Sequence, residues 1–295
     1  MTSNIDISNI LDKLSGYWKD NSNVHRFDGD LVDVIFDPEK KDFSEVLLPF
    51  SEHPSWKCAP DEIKNKCLSY GWILYNMKTV YIECDIVTPV CEDIIKHTPA
   101  SSNYVKIQRV ISEALLDEAL HTKMSIFACN YIYEKRGLKH LGANEFYLSK
   151  WLKDKLNNCQ SPQERRLVHL AVACASETLI TDYLDSLSKD HTIQAICSEV
   201  TLKHAADERS HSGVFSHVTV DLLKNATEDE KALFKETALQ TLPVFANTEM
   251  GEWEKVFKIL DFPNYQEIVR DTEQLQNIGI YDKSVKKLFL RLGMN

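Results

Sequence analysis

Two stretches of this chain carry the same string of acid, acid, two spacers and histidine: Asp117-Glu118-Ala119-Leu120-His121 and Asp207-Glu208-Arg209-Ser210-His211. A Glu and a His three positions apart project from one face of a helix, so one metal ion can touch both. Carboxylate-bridged dinuclear bundles combine two such helices with two others that give one Glu each. Glu83 in VYIECDIV and Glu177 in VACASETLI are the candidates for those, both set among apolar residues. A buried carboxylate that loses its partner costs roughly 3–5 kcal/mol, so apolar flanks imply a compensating cation. With 10 His in 295 residues, a given Glu has roughly a 3% chance of a His three places on. One match is noise. Two, each after an Asp and each matched by an apolar-flanked Glu, point to metal chemistry, with scattered structural charges as the alternative. His204 lies four before Glu208 and seven before His211, on the same stripe. It is a candidate third imidazole, the alternative being an ordinary half-buried histidine.

Long helices must carry these residues, and the apolar periodicity predicts them. Residues 61–95 have helical spacing, with Pro89 expected to kink or break the run. A very long helix is predicted from about Ser102 to Lys135, followed by the connection RGLKHLGANEF. A third starts where Ser161 caps, Pro162 enters the first turn and Glu164 completes a capping-box-like start. The fourth follows SKDHT and carries HAADERSH; two or three more follow, opening at TEDEK and closing with SVKKLFLRLG. Residues 1 to about 58 read as the least regular part, with DLVDVIFDP looking extended. The simplest organisation is a single all-α domain over 1–295, built around four long helices, with its core at about 60–225.

Composition narrows the partners. Only 9 Gly and 9 Pro disfavour a fold of many short strands. A formal net charge of -10 disfavours nucleic acid and anionic membrane surfaces. No basic-then-apolar leader and no run of about 18 apolar residues is visible, so the expected setting is cytoplasmic, with no membrane span. The eight cysteines form no CxxC pair and read as reduced thiols. No phosphate loop, nucleophile elbow or flavin fingerprint appears, so electrons for redox work must come from outside the chain.

At Glu83, Glu118, His121, Glu177, His204, Glu208 and His211 the sequence resembles the p-aminobenzoate N-oxygenase family of diiron enzymes. The string His-x-x-x-Glu-x-x-His, here HAADERSH, sets that family apart from other diiron carboxylate proteins, which use two histidines. The resemblance covers roughly residues 60 to 225. It implies a ferritin-like four-helix bundle core with additional helices at both ends, and often a homodimer. It also implies two iron ions and dioxygen as co-substrate, oxidising an amine to a hydroxylamine and on toward nitroso or nitro. A ferredoxin-type reductase or a small reductant would supply electrons. Carboxylates and imidazoles suit redox iron, although manganese–iron or dimanganese pairs fit the same donors. Asp117 and Asp207 stand where such bundles place an acceptor for a ligand histidine's second nitrogen. A crossed arrangement is expected, Asp117 to His211 and Asp207 to His121, the alternative being that each faces a neighbouring helix.

Substrate recognition is less legible. Thr79 and Tyr75 lie one and two turns before Glu83, Lys78 borders their stripe, and Thr181 lies one turn past Glu177. These four are candidates for lining the approach to the metals, with Lys78 or Tyr75 holding a substrate carboxylate. Tyr75 as core packing and Lys78 as a solvated cation are equally good readings. Rival functions are a diiron oxidase or hydroxylase acting on C–H bonds, a ferroxidase or storage protein, and a non-catalytic interaction protein.

Overall fold

The computed structural model describes residues 6–25, 35–98, 103–273, 275 and 281–291. Among them the regular structure is helical: α1 (Ile7–Asn21), α2 (Pro54–Lys57), α3 (Asp61–Ile82), α4 (Thr88–His97), α5 (Tyr104–Arg136), α6 (Tyr147–Asn157), α7 (Pro162–Ser188), α8 (Ala195–Leu222), α9 (Glu228–Phe245), α10 (Met250–Ile259), α11 (Tyr265–Thr272) and α12 (Asp282–Arg291). No strand occurs among the described residues, only an isolated bridge between Lys41 and Ile193. The fold class is therefore all-α, consistent with a ferritin-like helical bundle.

Local chemistry explains the boundaries. Ser161 accepts a hydrogen bond from the Glu164 amide at 3.1 Å, capping α7. The Glu164 carboxylate closes back on the amide of Gln160, one residue earlier than a regular capping box would. Thr227 and Glu230 make the reciprocal box at the start of α9. Gly137 ends α5 in the left-handed conformation, at φ 59°.

Pro89 neither breaks nor sharply ends the run from α3. The chain passes through one π turn, Glu83–Val87, in which the Thr88 amide donates to the Glu83 carbonyl five residues back. Proline has no N–H to offer the Asp85 carbonyl four residues earlier. The ring of His169, on α7, lies 3.2 Å from that oxygen and fills the vacancy in the ladder. A single π turn in a long helix is a common mark of a functional site.

The N-terminal region differs from expectation. Residues 7–21 form a 15-residue helix that packs on α5 and α8, where an irregular region is expected from the sequence. Its apolar stripe, Ile7, Ile10, Leu11 and Leu14, is short and interrupted by charges, but Leu11 is fully buried. The extended-looking DLVDVIFDP falls mostly outside the described residues, and Ile35–Pro38 form no strand. Helix α6 occupies a stretch where the sequence names no element, and four helices follow α8 rather than two or three.

The apolar core divides into two clusters. One gathers Val87, Ile111, Ala114, Ala171, Cys174, Val214 and Phe215 with the inner face of α9. The other gathers Leu68, Trp72, Leu120, Met124, Ile196 and Val200 with Phe50, Trp56, Trp253 and Phe257. Each of the α3–α4 run, α5, α7 and α8 contributes to both, and each changes cluster within about two turns of its acidic residue. Polar side chains thus cut the core in a layer across four helices. Helix α7 is long and apolar enough by composition to cross a membrane, but 72% of its most apolar window is buried inside the protein. Its apolarity serves the core. All eight cysteines are free thiols, with Cys67, Cys91, Cys129, Cys174 and Cys197 buried.

Candidate metal centre

The layer between the two clusters holds Glu83, Glu118, His121, Glu177, His204, Glu208 and His211, none more than 3% exposed. They form three overlapping groups of candidate ligand atoms, each within 4.8 Å: Glu83 with His121, His204 and Glu208; Glu118 with His121, Glu208 and His211; and Glu83 with Glu118 and Glu177. The helical spacing brings this about. Glu118 and His121 share a face of α5, and His204, Glu208 and His211 share a face of α8. Glu83 opens the π turn, and Glu177 sits on the most apolar stretch of α7.

Glu208 is the hub. Its Oε1 lies 3.1 Å from His204 Nε2, 3.4 Å from His121 Nδ1 and 3.5 Å from His211 Nδ1. Glu118 lies 3.0 Å from His121 Nδ1 and 2.9 Å from His211 Nδ1. Glu83 approaches His204 Nε2 at 3.6 Å, and Glu177 approaches His211 Nδ1 at 3.6 Å. The opposite nitrogens of two rings face aspartates: His211 Nε2 lies 3.1 Å from Asp117, and His121 Nε2 lies 3.2 Å from Asp207. The contacts run in the crossed sense, and both aspartates are buried.

Sequence reasoning missed what holds those aspartates. Trp18 Nε1–H on α1 donates to Asp117 at 2.7 Å, and the Ser22 hydroxyl donates to its other oxygen. The backbone and side-chain amides of Asn23 donate to Asp207 at 3.2 and 3.0 Å. The available signal was the amphipathic stripe that places Trp18 one turn past Leu14.

Electrostatics mark the layer as short of positive charge. Burial raises the Glu83 carboxyl well above its usual range, and the neighbouring Glu118, Glu177 and Glu208 add to it. Burial, with Glu208 and Glu118, does the same to Glu177. Burial opposes ionisation of Glu118 as well, but His211 and His121 outweigh it and hold the group at about 2. Glu208 is likewise held well below the usual range by His211 and His204, against its burial. Burial disfavours the His121 imidazolium, yet Asp207 and Glu118 lift it to about 10. Burial and the adjacent His121 lower His204.

The fit to metal ions rests on unpaired atoms and on charge. Oxygens of Glu83, Glu118, Glu177 and Glu208, and Nδ1 of His211, are buried without a partner in hydrogen-bond geometry. Buried polar atoms are normally paired, so five orphans in one layer require an explanation. Four ionised carboxylates balance two divalent cations, and three neutral imidazoles add donors without adding charge. A hydrogen bond from Nε2–H to Asp would fix the tautomer of His121 and His211 and leave Nδ1 free as a donor.

Beside this layer lies a cleft with about 100 Å3 of free space. Tyr75, Lys78 and Thr79 line it, with Ile82, Tyr183, Phe245, Thr248 and Glu249. None of the seven layer residues lines it; it approaches the layer through Thr79, one helical turn before Glu83, and Ile82, next to Glu83 in the chain. Tyr75 stacks on Tyr183 with centroids 5.3 Å apart, and burial raises its phenol pKa. A Cβ at Gly71 would come within 3.0 Å of Phe43 and 3.2 Å of Trp253 on the cleft wall, so a larger residue there would require these rings to give by a few tenths of an ångström. Thr181 is not among the lining residues; its hydroxyl donates to the Thr178 carbonyl and meets Ser284 on α12 at 3.0 Å.

The sequence is similar to known proteins. The family model described as P-aminobenzoate N-oxygenase AurF matches residues 6–292, well beyond the central region in which the resemblance is visible by eye. A relative named 4-aminobenzoate N-oxygenase, from Streptomyces thioluteus, is 25% identical over 217 residues, covering 73% of this chain. The match spans 65% of that relative's own length.

Proposed function

The chain belongs to the p-aminobenzoate N-oxygenase family, and from that premise we propose that it is a diiron oxygenase adding oxygen to the nitrogen of a small amine. The observation that carries this reading is the layer of four carboxylates and three imidazoles with five buried atoms left outside hydrogen-bond geometry. Glu83, Glu118, His121, Glu177, His204, Glu208 and His211 would hold the two ions. When bound, two iron ions supply a site that activates dioxygen with electrons from an external donor. The overall first step takes amine, dioxygen, two electrons and two protons to hydroxylamine and water. A ferredoxin-type protein or a small reductant gives the electrons.

The chain's own residues have separable tasks. Glu208 and Glu118, each facing more than one histidine, would hold the ions together with those rings. Asp117 and Asp207 orient the rings of His211 and His121, and Trp18, Ser22 and Asn23 hold both aspartates in place. The aromatic walls of the cleft exclude water beside the layer, and Thr79 and Tyr75 present hydroxyls near Glu83 for the amine end of a substrate.

The test is isotopic. Iron-loaded protein, reductant and a panel of amines are incubated under 18O-labelled dioxygen, and products are analysed by mass. Gain of one labelled oxygen on nitrogen supports the proposal. Label on carbon would replace it with the C–H hydroxylase reading.

A further inference from the structure

The cleft beside the metal layer contains one cation and one anion among its lining residues, and they are bound to each other. Lys78 Nζ lies 2.8 Å from Glu249 Oε1, with the two side chains only 18% and 10% exposed. A second Lys78 N–H donates to the Phe245 carbonyl at 3.1 Å, and the ammonium sits 5.7 Å from the Phe245 ring centre. Lys78 is therefore spoken for.

Glu249 is fixed at least as firmly. Its other carboxylate oxygen accepts from the Tyr147 amide at 3.0 Å, and its own amide donates to the Asn247 side chain at 2.8 Å. Its backbone is left-handed, φ 55° and ψ 39°, a conformation that costs a non-glycine residue energy and persists only where the surroundings enforce it. The chain thus holds a carboxylate against the lysine that would otherwise recognise an anionic substrate. The remaining polar groups on the wall are neutral, and one is unpaired: the hydroxyl of Thr248 is buried without a hydrogen-bond partner.

We propose that this cleft takes amines whose end remote from the reacting nitrogen is uncharged, and that the Lys78–Glu249 pair excludes amino-carboxylates. The proposal rests on the amine-oxygenase reading above and supplies its substrate class. A free carboxylate would have to displace Glu249 from Lys78, leaving one carboxylate buried without a cation. A neutral group that both donates and accepts, such as an amide or an alcohol, can pair with Thr248 and leave the ion pair whole. The unpaired Thr248 hydroxyl is the site-side signature of that preference, because a buried hydroxyl left without a partner is unfavourable.

Three probes of nearly equal shape separate the possibilities: 4-aminobenzoate, 4-aminobenzamide and 4-aminobenzamidine carry a negative, zero and positive charge at the same position. Their affinities are measured by calorimetric titration of the full chain, iron-loaded and anaerobic, so that binding is read without turnover. The expected order for the unaltered protein places the amide about tenfold or more ahead of both ions. Glu249→Gln frees the lysine and should make the benzoate the tightest ligand. Lys78→Gln frees the carboxylate and should favour the amidine. The two variants probe one pair from opposite sides, so misfolding of either leaves the other as the test. The proposal is overturned if benzoate binds the unaltered protein most tightly, if neither variant changes the order, or if no probe binds any of the three proteins. None of those outcomes touches iron loading or oxygen reactivity, on which the proposed function stands independently.

Discussion

Two regions a few residues apart, one on α3 and one at the π turn that follows it, bury charge in opposite ways. The layer holding Glu83 is overfilled with carboxylate, and its raised and lowered acids show groups competing for too little positive charge. The cleft holding Lys78 is already neutral, with its one cation held by its one lining carboxylate. One region is arranged to receive cations from outside, the other to refuse a net charge. Burying unpaired charge is costly in both, but only the second supplies both partners from its own chain.

The comparison breaks most readily at its hub. Glu208→Ala removes the carboxylate facing all three histidines, and bound iron should fall well below two per chain. The loss of metal affinity should exceed the roughly 10- to 100-fold typical of outer-sphere changes, measured by metal analysis after dialysis. A fully loaded Glu208→Ala protein would mean that the layer is not organised around that residue. Next in size, Asp117→Asn or Asp207→Asn should cost about 10- to 100-fold in metal affinity or activity while the helical circular dichroism stays unchanged. Equal losses from the two would support the crossed pairing; no loss from either would reduce both to packing.

A pH titration sharpens the contrast between a layer that lacks cations and one that has them. In the metal-free protein His121 is raised to about 10 and His211 is raised well above its ordinary value. Glu83 and Glu177 are raised as well. Between about pH 6.5 and 10 the folded state therefore binds more protons than the unfolded state, and stability must fall as pH rises through that window. His204, which is lowered, acts the other way only below its ordinary value. Thermal melts of metal-free protein should show Tm declining from pH 6.5 to 10, while iron-loaded protein changes less. A flat metal-free profile would show that the layer is not short of positive charge. The smallest effect is expected from Trp18→Phe, which removes one hydrogen bond to a buried carboxylate and should destabilise by about 1–3 kcal/mol in denaturant melts.

How much of this was legible in the sequence follows from the same contrast. The layer lies on long helices, where three- and four-residue spacing converts directly into a shared face, so its seven members and both aspartates could be nominated from order alone. The α7 cap at Ser161 was readable for the same reason: it depends on neighbours in sequence. The cleft was only half visible. Tyr75 and Thr79 follow from helical register with Glu83, but Glu249 comes from a left-handed residue at the start of α10, far along the chain, and no local pattern announces it. Thr181 shared the right register yet is engaged by Ser284 of α12, a contact between distant segments. Helix α1 was missed because its polar content hid a narrow apolar stripe, and with it went Trp18, Ser22 and Asn23. Periodicity reports which face a residue is on; it does not report what arrives opposite.

The central claim is that the buried layer holds two iron ions and uses them on dioxygen. Anaerobic protein should be loaded with ferrous iron, freed of excess metal, counted, and mixed with dioxygen while the visible spectrum is recorded. The account predicts about two irons per chain, an oxygen-dependent transient absorption, and faster decay of that absorption when an accepted amine is present. Failure to retain iron, or retention with no response to dioxygen, would contradict it.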